Sequence, residues 1–180
     1  MSRIGKKPIV IPDKVHVDIK DRVVHVKGPK GELNWTHPDR IKATVNDGSI
    51  IVEKMGDSKP ERALHGLTRS IIANMVAGVS LGYQKVLDIV GVGYKAQVTG
   101  DRIVFTLGYS HPIEVQLPEG IKASVDQKQI QITLTGIDKQ QIGQLAASLK
   151  ALRPPDAYKG KGIRHSGERL KLKVGKAGKK

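Results

Sequence analysis

A chain of 180 residues with 31 Lys and Arg against 17 Asp and Glu, a formal charge of +14, is expected to meet a polyanion rather than a neutral small-molecule substrate. With 0 Cys it can form neither a disulfide nor a thiolate metal site, which points to a reducing, cytoplasmic setting. No run approaches the roughly 18 consecutive apolar residues of a membrane span, and the first residues lack the apolar core of a secretion signal.

Residues 1–8 are basic and are followed at once by Pro12 and Asp13, so they read as an arm with Arg3, Lys6 and Lys7 as candidate contacts. From there the sequence repeats itself. At an offset of 80, Asp21-Arg-Val-Val24 matches Asp101-Arg-Ile-Val104, Gly28 matches Gly108, and Ile41-Lys-Ala-Thr-Val45 matches Ile121-Lys-Ala-Ser-Val125. Between Asp21 and Gly56, 11 of 36 positions are identical, where chance gives about two. We therefore read residues 9–81 as one repeat and 82–180 as a second.

Each repeat shows the alternation of apolar and polar residues that puts one face of a sheet on a core. Val15, Val17 and Ile19 carry it, as do Ile41, Ala43 and Val45. The second repeat has it in Ile113, Val115 and Leu117, then in Ile130, Ile132 and Leu134. Turn residues between these runs favour short antiparallel hairpins. Each repeat then ends in a helix. Ser58-Lys-Pro-Glu61 is a capping box, followed by a stripe of Leu64, Leu67, Ile71, Met75 and Val79. Asp138-Lys-Gln-Gln141 opens the second helix, with Ile142, Leu145, Leu149 and Leu152 as its stripe and Pro154 and Pro155 as its stop. The fold class is α+β: two tandem duplicated domains, each a small, mostly antiparallel sheet packed against one helix.

Gly91 and Gly93 precede Lys95 in a run that approximates a dinucleotide fingerprint, but Ala96-Gln-Val98 reads as a strand where that motif needs a helix. The glycines instead mark a bulge or a close approach of backbone to RNA or to the other domain. The six His show no metal-ligand spacing, and no P-loop is present. No cofactor or metal is expected.

The charge is concentrated at the end. Lys150 to Lys180 holds 11 Lys and Arg against Asp156 and Glu168, an appendage the first repeat lacks. Within it Lys159-Gly160-Lys161-Gly162 combines ammonium groups with backbone that can approach a phosphate. Pro154 and Pro155 restrict the chain and lower the ordering cost of binding. Arg153, Arg164, His165, Arg169, Lys171, Lys173 and Lys176 complete the candidate set from about residue 153 onward. Tyr158 either stacks on a sugar or base or closes the end of the second core. Residues 154–164 read as a shaped loop, 170–174 alternate like a returning strand, and removal of everything from Arg153 is expected to leave both domains folded.

Pro155-Asp-Ala-Tyr-Lys-Gly-Lys-Gly-Ile163 resembles the signature of the bacterial large-subunit ribosomal protein L6 family. Similar matches run through Ser2-Arg-Ile-Gly-Lys-Lys-Pro8, Leu64-His-Gly-Leu-Thr-Arg69, Ile72-Ala-Asn-Met-Val-Ala-Gly78, Val90-Gly-Val-Gly-Tyr94 and Leu107-Gly-Tyr-Ser-His-Pro112. The resemblance implies a structural role on 23S rRNA near the sarcin-ricin loop. It also implies neighbouring large-subunit proteins as partners and a contribution to the surface where translational GTPases dock. With only 3% aromatic residues, base stacking is not the main device, and phosphates, 2′-hydroxyls and shape are what such a chain reads. A DNA-binding architectural role would explain the charge alone. An RNA-cleaving enzyme would need a general acid and base, for which His165 near Glu168 is the one suggestive pair.

Overall fold

A computed structural model describes residues 3–175, so the candidate contact Lys176 lies outside the described residues. The polypeptide divides into two compact units, one running up to Tyr83 with Ile137–Lys139 added, the other comprising Gln84–Gly136 and the chain from Gln140 onward.

The first unit contains β1 (Ile9–Val10), β2 (His16–Lys20), β3 (Val23–Gly28), β4 (Gly31–Thr36), β5 (Ile41–Asn46), β6 (Ser49–Lys54) and α1 (Lys59–Ser80). Its strands form two antiparallel sheets, ordered β2-β3-β4 and β1-β6-β5. Val24, Val26, Ile50, Ile72 and Val79 are wholly buried where these sheets meet α1. The alternation fades at the end of β5, where Val45 is 42% exposed.

The capping box of α1 is formed: the amide of Ser58 donates to Glu61 Oε2 at 2.9 Å and the amide of Glu61 donates to Ser58 Oγ at 3.4 Å. Its buried face runs through His65, Thr68, Ile72, Met75, Val76 and Val79. This corrects the expected stripe, since Leu67 is 51% exposed. The reason is that the true face begins with polar residues, and His65 enters the core because its Nε2 donates to the carbonyl of Val52 at 2.8 Å.

The second unit begins within β7 (Tyr83–Val90). It continues through β8 (Lys95–Thr99), β9 (Arg102–Thr106), β10 (Ile113–Gln116), β11 (Ile121–Val125), β12 (Gln131–Gly136), α2 (Lys139–Leu152) and β13 (Gly162–His165). The sheets are β10-β9-β8 and β11-β12-β7-β13. The duplication is therefore visible in topology: β8-β9-β10 repeats β2-β3-β4, and β7, β12 and β11 repeat β1, β6 and β5. β13 is the addition. Phe105, Leu87, Ile103, Leu107, Ile132, Leu134, Ile142, Leu149 and Ile163 are the largest fully buried side chains of the second unit. The sheet expected in each repeat is thus divided in two; α2 buries Ile142, Leu145 and Leu149 of its expected stripe together with Ala146, while Leu152 at its end is half-buried.

Two expectations for the C-terminal stretch are corrected. Residues 170–174 form no strand, and Leu172 and Val174 are 53% and 78% exposed, because no neighbouring strand offers that segment a ladder. The strand lies earlier, where Gly162, Ile163, Arg164 and His165 pair antiparallel with Val90, Ile89, Asp88 and Leu87. The appendage is thereby woven into the sheet, and Ile163 is 0% exposed, so it is not a separable tail.

Candidate nucleic-acid interface

Helix α2 stops at Leu152, and Pro154 and Pro155 turn the chain into a loop whose shape is fixed by its own backbone. The amides of Tyr158 and Lys159 donate to Asp156 Oδ2 at 3.2 and 2.8 Å, the amide of Gly160 to the Asp156 carbonyl at 3.0 Å, and the amide of Asp156 to the Lys161 carbonyl at 2.8 Å. Asp156 is thus the hub of the loop. These amides, Lys159 first, hold its carboxyl below the usual aspartate range, so it is ionised at neutral pH.

Glycine is required at both loop positions. Gly160 has φ +67° and Gly162 has φ +142°, and a Cβ on Gly162 would lie 2.6 Å from the carbonyl oxygens of Arg153 and Pro154. That close approach is what lets the amide of Ile163 reach the Arg153 carbonyl at 2.7 Å and start β13.

The loop and the segment after β13 leave their cations outside. Lys159, Lys161, Arg169, Lys171 and Lys173 are all exposed, and among the described residues none of them is in an ion pair. The two acids of the segment are both engaged. Asp156 serves the loop amides, while Glu168 receives Lys150 Nζ at 2.6 and 2.8 Å and the amide of His165 at 3.1 Å. Lys150 first, then that amide, holds the Glu168 carboxyl below its usual range. The suggestive His165 and Glu168 pair is therefore a turn closure made through backbone, with the amide of Glu168 returning to the His165 carbonyl at 3.0 Å. The Glu168 carboxylate is thereby already taken up by Lys150 and the His165 amide.

The other candidate residues are placed differently. Arg164 and His165 are half-buried in β13. Tyr158 is 58% exposed and does not close the core. Gly91 and Gly93 form a turn between β7 and β8 rather than a bulge, with the amide of Tyr94 donating to the Gly91 carbonyl at 3.3 Å, Val92 91% exposed at its tip, and Lys95 exposed at the start of β8. Arg3, Lys6 and Lys7 are exposed on the first unit.

Two residues of the site are missed by the sequence reading. Tyr94, Tyr109, Arg153, Pro154, Asp156 and Lys161 line a recess of about 370 Å³. The guanidinium of Arg153 lies over the Tyr109 ring at 5.0 Å, and Tyr109 Oη donates to the Leu152 carbonyl at 3.0 Å. No local signal marks them: each follows a glycine, but so does Tyr83, which lies outside the recess. Among the described residues no cluster of His, Asp or Glu could hold a metal ion, and no helix is long and apolar enough to cross a membrane.

The comparisons agree with this duplicated architecture. The family model for ribosomal protein L6 matches twice, over residues 11–82 and 90–166. Curated relatives named large ribosomal subunit protein uL6 cover the whole chain and are themselves wholly covered. Identity is 59% over 180 residues for Thermodesulfovibrio yellowstonii, 54% over 181 for Koribacter versatilis and 52% over 180 for Picosynechococcus sp..

Proposed function

The chain belongs to the ribosomal protein L6 family, and from that premise we propose that it is a structural constituent of the large ribosomal subunit, anchored to 23S rRNA through its second unit. The observation that carries the rRNA contact is the electrostatic asymmetry of the Asp156 loop and of the segment that follows β13. Lys159, Lys161, Arg169, Lys171 and Lys173 face solvent unpaired, while both nearby carboxylates are taken up by the fold. Cations held on an ordered loop bind phosphates with less ordering cost than cations on a free tail.

The same proposal locates the contact near the sarcin-ricin loop, beside neighbouring large-subunit proteins and the docking region of translational GTPases, as the resemblance implies. Arg3, Lys6, Lys7 and Lys95 are secondary contacts in it, and Gly91 and Gly93 allow close backbone approach. The role is structural rather than catalytic, and its setting is the cytoplasmic ribosome.

The test is titration of the full-length protein with a 23S rRNA transcript containing the sarcin-ricin loop, at several salt concentrations. Each phosphate neutralised steepens the logarithmic salt dependence by about 0.7 to 0.9. Lys159→Glu with Lys161→Glu is expected to weaken binding at least tenfold, by roughly 1.4 kcal/mol or more. Undiminished binding, or an affinity indifferent to salt, overturns the proposal.

A further inference from the structure

The recess beside the loop is built for a narrower task than general attraction. Its two cations converge from chain segments that are both pinned. Arg153 has its carbonyl bonded by Ile163 and is followed by Pro154, and Lys161 has its carbonyl bonded by Asp156. The Arg153 side chain is also restrained, because its guanidinium lies over Tyr109, whose hydroxyl is tied to the carbonyl of Leu152. Hydrogen bonding to Tyr109, then to Tyr94, raises the pKa of that guanidinium further above its ordinary value.

Tyr94 is itself fixed, lodged between two glycines. A Cβ on Gly91 would lie 2.5 Å from its ring and one on Gly108 would lie 3.0 Å away. Side chains at either position would displace the ring. The one carboxylate lining the recess, Asp156, already accepts the loop amides. What remains available is a planar fork of N–H donors, held over the Tyr109 ring, with the ammonium group of Lys161 on the same recess. Such a fork matches the oxygens of a phosphodiester, and holding it in place removes most of the rotamer entropy that binding would otherwise cost.

We propose that Arg153 and Lys161 together hold one backbone phosphate of the bound RNA in this recess, with Tyr109 and Tyr94 as positioning residues for the guanidinium. The inference rests on the rRNA-binding reading above. It assigns an aromatic role that is not base stacking: the Tyr109 ring faces the protein's own arginine. It also separates Arg153 from the lysines of the loop, which act as point charges.

The experiment is a salt titration of rRNA binding by full-length variants, each checked by thermal unfolding. Arg153→Ala is expected to lower affinity roughly tenfold and to reduce the logarithmic salt slope by about 0.7 to 0.9, the value of one phosphate contact. Arg153→Lys, which keeps the charge and is compatible with the fold, should leave the slope unchanged yet lose affinity severalfold, because the fork is gone. Tyr109→Leu should weaken binding in the parent protein and add nothing to Arg153→Ala, a non-additivity that a merely structural role would not produce. If Arg153→Ala weakens binding with an unchanged slope, the recess takes a nucleobase instead and the proposal fails. If Lys159→Ala weakens binding while Arg153→Ala and Arg153→Lys bind as the parent does, this proposal alone falls. If none of these variants changes binding, the rRNA-binding reading falls with it.

Discussion

The amide of Ile163 donates to the carbonyl of Arg153 at 2.7 Å, and this single bond joins the stop of α2 to the start of β13. Ile163 then pairs with Ile89 and is 0% exposed. A chain ending before Arg153 would lose the strand that covers β7, so it is expected to lose the cooperative unfolding of the second unit as well as RNA binding. Ile163→Ala should cost about 2 to 5 kcal/mol by leaving a cavity. Thermal unfolding measures both, and a truncated protein that melts as the full chain does would show that β13 is dispensable.

How far the residues disclosed this fold depended on whether apolar pattern and burial coincided. The capping box at Ser58 and the stripe of Ile142, Leu145 and Leu149 were legible because local chemistry and tertiary contact agree there. The buried face of α1 was displaced because His65 and Thr68, both polar, sit inside it. β13 was hidden for a different reason. Its only strong strand former is Ile163, in a run of Gly, Lys and Pro that reads as loop, and its pairing depends on β7, more than seventy positions earlier. Leu170 to Val174 shows the converse, an alternating run with no strand to pair with. Of the site, the lysines were legible from charge, whereas the Tyr109 support of Arg153 is a long-range contact that no local pattern encodes.

Gly162, at the start of β13, and Gly167, in the turn that follows that strand, should respond unequally to one added methyl group. At Gly162 a Cβ meets the carbonyl oxygens of Arg153 and Pro154 at 2.6 Å, both backbone atoms that can yield only by moving the chain. At Gly167, φ +78°, the space is open and only the left-handed backbone penalty applies, about 1 to 2 kcal/mol. Gly162→Ala is therefore expected to destabilise the second unit more than Gly167→Ala does. Chemical denaturation ranks them, and equal midpoints would contradict the close approach.

Acid should loosen the Asp156 loop. Folded-state bonds to the Lys159 and Tyr158 amides lower the Asp156 pKa, and Lys150 and the His165 amide lower that of Glu168. A carboxyl depressed in the folded state contributes stability above its unfolded value and loses that contribution as pH falls through the folded one. Both contributions are therefore complete at neutral pH and fade below about pH 4. Amide shifts of Tyr158 and Lys159 followed by NMR should titrate with an apparent pKa under that of an unfolded aspartate, and Asp156→Asn should abolish the step. A midpoint at or above the ordinary value would mean that the carboxylate is not the hub of the loop.

Arg69 sets the position of the N-terminal arm, which makes the arm separable from the stability of the unit beneath it. Its Nε donates to the carbonyl of Lys7 at 3.1 Å and its Nη2 to that of Pro8 at 3.4 Å. Gly5 lies so close to His65 that a Cβ there would fall 2.4 Å from Nδ1. Hydrogen bonds of this kind contribute roughly 0.5 to 1.5 kcal/mol each, so losing both should raise the released population of the arm by about 5-fold to 150-fold. Arg69→Ala is accordingly expected to accelerate tryptic cleavage after Arg3 and Lys6 while leaving the unfolding temperature nearly unchanged, because α1 still buries Ile72, Val76 and Val79. It should also weaken rRNA binding less than Lys159→Glu with Lys161→Glu does, since the arm keeps its charges and loses only their placement. An unchanged cleavage rate would mean that Arg69 does not hold the arm, and a large fall in melting temperature would mean that it supports the core instead.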